Sequence, residues 1–445
     1  MTSRIEYRVE QMKRILLAAL GGFLIAAPLR AQTAAEIDAY YPDLQTLYQD
    51  IHRNPELAFQ EVQTAAKLAA RLKALGYDVA TGVGRTGIVG LLKNGAGPTV
   101  MLRTELDALP VAEKTGASFA STVMTKNLAG ATVPVMHACG HDLHMTAWMG
   151  TARWMAEHRQ QWHGTLMMVG QPAEESAGAN GGAAAMLKDG LFERFPKPDY
   201  VIGVHDDDTM PAGTIGFHPG PFRAMSISPT VTLYGRGGHG AMPYNTIDPV
   251  VMAARTVMAL QTIVSRENNP MDPVVLTIGS IHGGTQANVI PDEVKLELNI
   301  RTYTDEVQKR VLAAVARIVK AEAAAAGATR EPSITMSESG HVVVNDPTLT
   351  RRVAAALQKA LGAQQVVEMP AKMTSEDFAE YGRAGVPSVL LHIGAVNPAK
   401  LADSRRTGIP VPAPHSPEWL PDLEPTLKAA IRGETVALLD LFNGR

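Results

Sequence analysis

A single cysteine, Cys139, occurs in 445 residues, so no intramolecular disulfide can brace the fold. Long apolar runs are nearly as scarce. The one that stands out, residues 15–27, holds thirteen residues, short of the roughly 20 that a membrane-spanning helix needs. Lys13 and Arg14 precede it and Pro28-Leu-Arg-Ala31 follows, which is the layout of a secretory signal peptide. We expect residues 1–31 to be that signal, cut near Ala31, with no cysteine following for a lipid anchor. The mature chain is then expected to be secreted or periplasmic, without a membrane span. Excess positive charge is missing as well. Lys and Arg number 41 against 44 Asp and Glu, and once the five basic and two acidic residues of the signal are removed the balance is 36 against 42, a formal charge of −6. That balance argues against nucleic acid as a partner. The glycine-rich turn at 235–243 lacks the Lys-Ser/Thr of a P-loop. Short repeats, coiled-coil heptads and low-complexity tails are absent from the sequence too.

Against these absences stands one dense stretch. Val135-Met-His-Ala-Cys-Gly-His-Asp-Leu-His144 packs three histidines, an aspartate and the only cysteine into ten residues. Cys139 and His141 stand two apart, so in an extended or turning segment both can face one point, and thiolate with imidazole is a transition-metal ligand pair. A buried cysteine among core histidines is the structural alternative, although each neutral buried imidazole then needs a hydrogen-bond partner. A Cys/His nucleophile pair is the chemical alternative. In an oxidising compartment a lone thiol is open to damage unless something such as a metal holds it, which favours a ligand role.

The 414 residues that follow residue 31 of 445, in a chain 46% hydrophobic, suffice for two or three domains with large cores. Apolar spacing predicts helix over 37–75, stopped by Gly76. Short apolar runs then alternate with helices, the pattern of a mostly parallel sheet covered by helices. Runs at 99–102, 165–169 and 200–204 empty into Arg103-Thr-Glu-Leu-Asp107, Gln171-Pro-Ala-Glu-Glu175 and His205-Asp-Asp-Asp208, and a fourth run lies at 388–391. In open α/β sheets sites form at the carboxyl ends of strands. The Glu174-Glu175 pair suits a di-metal hydrolase, in which one carboxylate binds metal and an unligated one takes a proton from water. From residue 222 the pattern becomes strand 226–234, helix 248–266, strands 273–281 and 293–303, helix 304–326 and strand 331–337. That βαββαβ order predicts a ferredoxin-like satellite domain at 222–337, inserted between catalytic parts at 32–221 and 338–445. Near the end, Pro414 and Pro417 stiffen the backbone around His415, and residues 423–441 read as a closing helix.

Several motifs occur in order: His52-Arg-Asn-Pro-Glu-Leu, Arg103-x-x-x-Asp-Ala-Leu-Pro110, Met136-His-Ala-Cys-Gly-His-Asp142, Gln171-Pro-Ala-Glu-Glu175, Gly237-Gly-His239, Asn288-Val-Ile-Pro291, Ser375-Glu-Asp-Phe378 and His415-Ser-Pro417. Together they resemble the amidohydrolase subgroup of the aminoacylase and carboxypeptidase metallopeptidases, the group of hippurate hydrolase and the plant hydrolases of indole-acetyl amino acid conjugates. The likeness spans essentially the whole mature chain. It implies an α/β catalytic domain that binds two metals and carries an inserted satellite domain, in agreement with the periodicity.

Carried over by position, the resemblance makes Cys139, His141, Glu175, His205 and His415 the metal ligands and Glu174 the general acid/base. It places His239 over the catalytic centre, where we expect an oxyanion donor; Asn288 and Arg301 are expected to bind the substrate's carboxylate, with a structural ion pair as the alternative for Arg301. His137 and Asp142 are expected to orient the ligands; His144 is left open, and the remaining histidines, His52 and His392 among them, are read as structural. The implied reaction is metal-assisted hydrolysis of the amide of an N-acyl amino acid or small peptide-like conjugate, with Glu174 moving the proton from water to the leaving amine. Thiolate, imidazole and carboxylate together suit zinc, manganese, cobalt or nickel, so two divalent ions are expected without a name. A homodimer through the satellite domain is one assembly this allows. The chain departs from the pattern at Glu105, where the group usually has Asp, and at Asp206-Asp-Asp208, which we expect to disfavour substrates of extra negative charge. An exported cysteine-nucleophile hydrolase and a non-catalytic metal or solute binder are the rival readings; Glu174 beside Glu175 speaks against the binder.

Overall fold

The computed structural model describes residues 29–176, 181–337 and 339–444. Most of the expected signal peptide therefore lies outside the described residues. Among those described, no helix is long and apolar enough to cross a membrane.

An eight-stranded sheet runs in the order Asp78–Val83, Gly87–Asn94, Gly164–Gln171, Thr99–Glu105, Tyr200–Pro211, Ser388–Val396, Ile215–Phe217, Val366–Glu368. Its four middle strands, at 164–171, 99–105, 200–211 and 388–396, are mutually parallel, and antiparallel pairings begin only beyond them. Apolar side chains of those strands point alternately to two cores. Val100, Leu102, Leu166, Met168, Ile202 and Leu391 pack under the helices Leu29–Arg53, His141–Glu157, Pro347–Leu361 and Leu423–Asn443. On the other face Met101, Met167, Val169, Val201 and Leu390 meet residues of the shorter helices Gly182–Lys188 and Ala379–Arg383. The helical spacing at 37–75 resolves into two helices, Leu29–Arg53 and Val62–Ala74, because Pro55 interrupts it. Gly76 ends the second at φ +85.

The second sheet has the order Ser333–Thr335, Thr230–Tyr234, Glu293–Thr302, Val275–His282, all antiparallel, which is the 4-1-3-2 arrangement of a ferredoxin-like unit. Its helices, Pro249–Thr262 and Asp305–Ala325, cover one face with a core of their own that includes Val231, Leu233, Leu296, Leu298 and Ile300. Asp248 and Thr304 cap the two helices with side-chain oxygens that accept from backbone N–H groups. The strand expected at 226–234 is broken, with Met225–Ile227 pairing separately from Thr230–Tyr234; Pro229 between them has no N–H for the ladder.

Candidate metal centre

The carboxyl ends of the parallel strands deliver the site, with two refinements to the sequence reading. The strand that carries His205 does not end there. It runs on to Pro211, so His205, Asp206 and Asp207 are buried strand residues. The Ser388 strand likewise continues to Val396 and sets His392 opposite His205 in register. Cys139 and His141 flank Gly140, whose φ of +78 turns the chain into the helix starting at His141. A Cβ at Gly140 would come within 2.4 Å of the Asp206 carboxylate, so glycine is required there by packing as well as by φ. Non-glycine residues in the left-handed region stand at Ala173, φ 49, and His415, φ 71, in the two segments bringing Glu174, Glu175 and the distant histidine to the centre. Ala173 is held by donating to Glu61 at 2.8 Å, and His415 by donating to the carbonyl of Ala138 at 2.7 Å.

Ligating atoms of Cys139, His141 and His205 lie within 4.8 Å of one another, as do those of Cys139, Glu175 and His415, and those of His141, Glu174 and Glu175. Cys139, His141 and Glu175 each belong to two of these trios, so the trios share one centre. The tautomers fit as well. His141 places Nδ1 2.8 Å from the carbonyl of Asp107, and His205 places its Nδ1 2.8 Å from the carbonyl of Asp206. A carbonyl can only accept, so each Nδ1 carries a proton and each Nε2 is the ring nitrogen left to face the cluster. The Nε2 of His141 is buried with no hydrogen-bond partner among the described residues, and that of His205 lies 3.5 Å from the Cys139 sulfur. His415 Nε2 is 3.1 Å from Glu175. A thiol, imidazoles and a carboxylate form a donor set that, on losing its protons to binding, would fit divalent transition ions.

Glu174 stands beside this set, 3.8 Å from His141. Burial, with Glu376 and Glu175 adding negative charge, pushes its carboxyl well above the usual range. Its backbone N–H and that of Glu175 donate to the two oxygens of Asp107, at 3.1 and 2.9 Å. Asp107 therefore fixes the two glutamates by its side chain and His141 by its carbonyl, a role that no spacing in the sequence announced. His137 and Asp142 were expected in such a role and do not fill it. Both nitrogens of His137 are buried without a partner among the described residues, and burial pushes its ring down to about 3. Asp142 instead binds His52 at 2.6 Å, whose other nitrogen is 3.0 Å from Glu113.

That His52 bridge yields a pH-dependent expectation. Burial lowers the ring's affinity for a proton, but the hydrogen bonds and charges of Asp142 and Glu113 outweigh it and raise His52 to about 10. A folded-state value above the unfolded one means stability that is fully present below about 6.5 and lost as pH rises through about 10. Substituting His52→Gln should therefore lower the urea midpoint strongly at pH 6 and less at pH 10. An equal gap at both pH values would show that the pair carries no charge.

Residues that the sequence reading passed over pack around the same centre. Arg103 is fully buried and ion-pairs with Glu105, Glu376 at 2.8 Å and Asp377 at 3.0 Å, so Glu105 serves in a charge network rather than at the metals. His144, left open before, bridges Glu105 at 3.0 Å and the Asp206 backbone at 2.8 Å. Trp419 donates to Asp206 at 3.1 Å, tying the His415 loop to the His205 strand. Asp207 is clasped by Lys372 and His392, each at 2.6 Å, and Asp208 lies 3.8 Å from Lys372. Lys372 offsets one charge of the Asp207-Asp208 pair, and His144 stands 3.4 Å from the Asp206 carboxylate, so the run carries less net charge than its three acids suggest. Arg301 lines the cavity, whereas His239 and Asn288 do not. His239 ends one strand of a small exposed pair and Asn288 immediately precedes the other; Gly240 donates to Asn288 at 2.8 Å and His239 accepts from Ala241 at 3.0 Å.

Residues 101–406 match the model of peptidase family M20/M25/M40. The chain belongs to this family. It is 34% identical over 352 residues to thermostable carboxypeptidase 2 of Saccharolobus solfataricus, covering 79% of this chain and 85% of that one. It is 38% identical over 282 residues to the hippurate hydrolase of Campylobacter jejuni, covering 62% and 69%. Among solved structures, a dinuclear metal-binding M20 peptidase from Bacillus subtilis superposes with a TM-score of 0.69 at 28% identity, covering 90% of this chain and 98% of that one. This M20 protein is accordingly a metal-dependent amidohydrolase or peptidase.

Proposed function

We propose that this M20 enzyme binds two divalent ions through Cys139, His141, Glu175, His205 and His415, and hydrolyses the amide of N-acyl amino acids or small peptide-like conjugates. The observation that carries this is the set of overlapping trios formed by the Cys139 thiol, the imidazoles of His141, His205 and His415 and the Glu175 carboxylate, with Glu174 meeting His141 and Glu175 at their edge. When bound, such ions supply Lewis acidity, polarising a carbonyl and lowering the pKa of water. Glu174 takes the proton from the attacking water and hands it to the leaving nitrogen. Arg301 receives the substrate's carboxylate, and His239 with Asn288 complete the site from outside the cavity, by domain closure or from a second copy of the chain. Exposed Val250, Val251 and Met258 on the helix Pro249–Thr262 give the satellite domain an apolar face for such a dimer. Export follows from residues 13–31 alone, and sequencing the amino terminus of the mature protein tests it.

Metal analysis with a panel of N-acyl amino acids tests the central reading. Two equivalents of divalent metal are expected, with hydrolysis abolished by chelation and restored by metal. Turnover that persists after complete metal removal but dies on thiol alkylation would favour the cysteine-nucleophile alternative. Its geometric support is thin, since the Cys139 sulfur neighbours His205 rather than His141 or His144 among the described hydrogen bonds. Metal binding without hydrolysis of any substrate would favour the binding protein.

A further inference from the structure

The cavity over the metal ligands encloses about 510 Å³, and among the described residues its wall contains no Leu, Ile, Val, Met, Phe, Tyr or Trp. Small-molecule pockets are ordinarily lined by apolar and aromatic side chains with a few placed polar groups. By side-chain type this one reverses the proportion, although carbon atoms still form rather more than half of the exposed wall. An aromatic acyl group laid against it would strip water from charged and hydroxyl groups and return no hydrogen bonds to them.

The satellite wall is also built to donate. Asn299 and Arg301 alternate with the core residues Leu298 and Ile300, so they face away from the satellite core, and Ser226 lies opposite Arg301 in register. Asn299 donates from Nδ2 to the hydroxyl oxygens of Ser226 at 3.0 Å and Ser228 at 3.2 Å, and its Oδ1 accepts from Arg301 Nε at 2.8 Å. Nη1 of Arg301 donates to the carbonyl of Met373 at 3.0 Å. Both serine oxygens are occupied as acceptors, so their protons are left to donate. No carboxylate lies within ion-pairing distance of Arg301 among the described residues. The arginine is held by neutral groups, with charge and hydroxyl donors left for a ligand.

We propose that the enzyme selects N-acyl amino acids with an acetyl-sized acyl group and a polar side chain, and that Ser226, Ser228 and Asn299 are specificity-determining residues that set Arg301 in place. This rests on the amidohydrolase reading above. The test uses the metal-loaded full-length enzyme with N-acetyl-, N-benzoyl- and N-indole-acetyl-serine, together with N-acetyl-leucine and N-acetyl-phenylalanine. We expect N-acetyl-serine to lead the aromatic acyl substrates by at least about tenfold in kcat/KM, chiefly through KM, and to lead the two apolar amino acids. The same order is expected in dissociation constants measured by calorimetry on metal-loaded Glu174→Gln, which reads binding without turnover. Asn299→Ala should raise KM for N-acetyl-serine and narrow its lead while metal content stays unchanged, and Asn299→Gln should recover part of it. A benzoyl or indole-acetyl substrate equal to or ahead of N-acetyl-serine, or N-acetyl-phenylalanine in first place, would overturn this specificity and leave the amidohydrolase reading standing. A metal-loaded enzyme that neither binds nor cleaves any of them would remove that reading and the specificity with it.

Discussion

Glu174→Gln is expected to retain both metals and lose about 10² to 10⁴ in turnover, the usual contribution of a positioned general acid/base. The substitution keeps the shape of the side chain and its place beside the cluster, which is set from the backbone by Asp107 at 3.1 Å. What it removes is the ability to hold a proton between water and the leaving nitrogen. Cys139→Ser and His141→Ala should behave differently, losing metal together with activity, because the thiol belongs to two of the ligand trios and the His141 Nε2 has no other partner among the described residues. Metal content by elemental analysis, measured on the same preparations as kcat, separates the two behaviours. Near-normal turnover in Glu174→Gln would assign the proton to another group. Full metal content in Cys139→Ser would make the cysteine a packing residue.

His239→Ala is expected to cost about 10² to 10³ in kcat with metal intact, the typical loss of one oxyanion donor. The ligands and Glu174 account for the attacking water and its proton, and among the cavity-lining residues Arg301 is placed for a substrate carboxylate; the developing oxyanion still needs a donor. His239 is exposed and lies outside the lining. For it to act, the satellite domain must close, or a second copy must bring its own histidine. Mixing distinguishes these. If sites are shared between copies, inactive Glu174→Gln and inactive His239→Ala proteins should regain part of the activity together, since some mixed dimers then contain one intact site. No recovery, with subunit exchange shown by differently tagged chains, would place His239 in its own chain's site. Normal turnover by His239→Ala alone would remove it from the chemistry.

Much of this protein was determined by local pattern. The four parallel strands, the order of the satellite elements, and the clustering of Cys139, His141, Glu174 and Glu175 near strand ends all follow from apolar periodicity and from residue types that are costly to bury without a purpose. Such signals lie within a few residues of one another and survive without knowledge of the fold. Tertiary structure alone decided the partners. Asp107 orients three site residues because a backbone carbonyl and a side chain happen to meet segments some 34 and 67 residues away, and no local spacing encodes such a meeting. The acid run at 206–208 looked like a charged loop, yet the strand continues through it, and Lys372, His392, His144 and Trp419 arrive from other elements to neutralise or bind it. Likewise His137 looks from its motif like a ligand partner, but it is buried with no hydrogen-bond partner among the described residues. The sequence names the atoms that can do chemistry, because their types are intrinsic. Which of them meet, and with what charge left over, depends on long-range contacts that exist only once the two cores have packed.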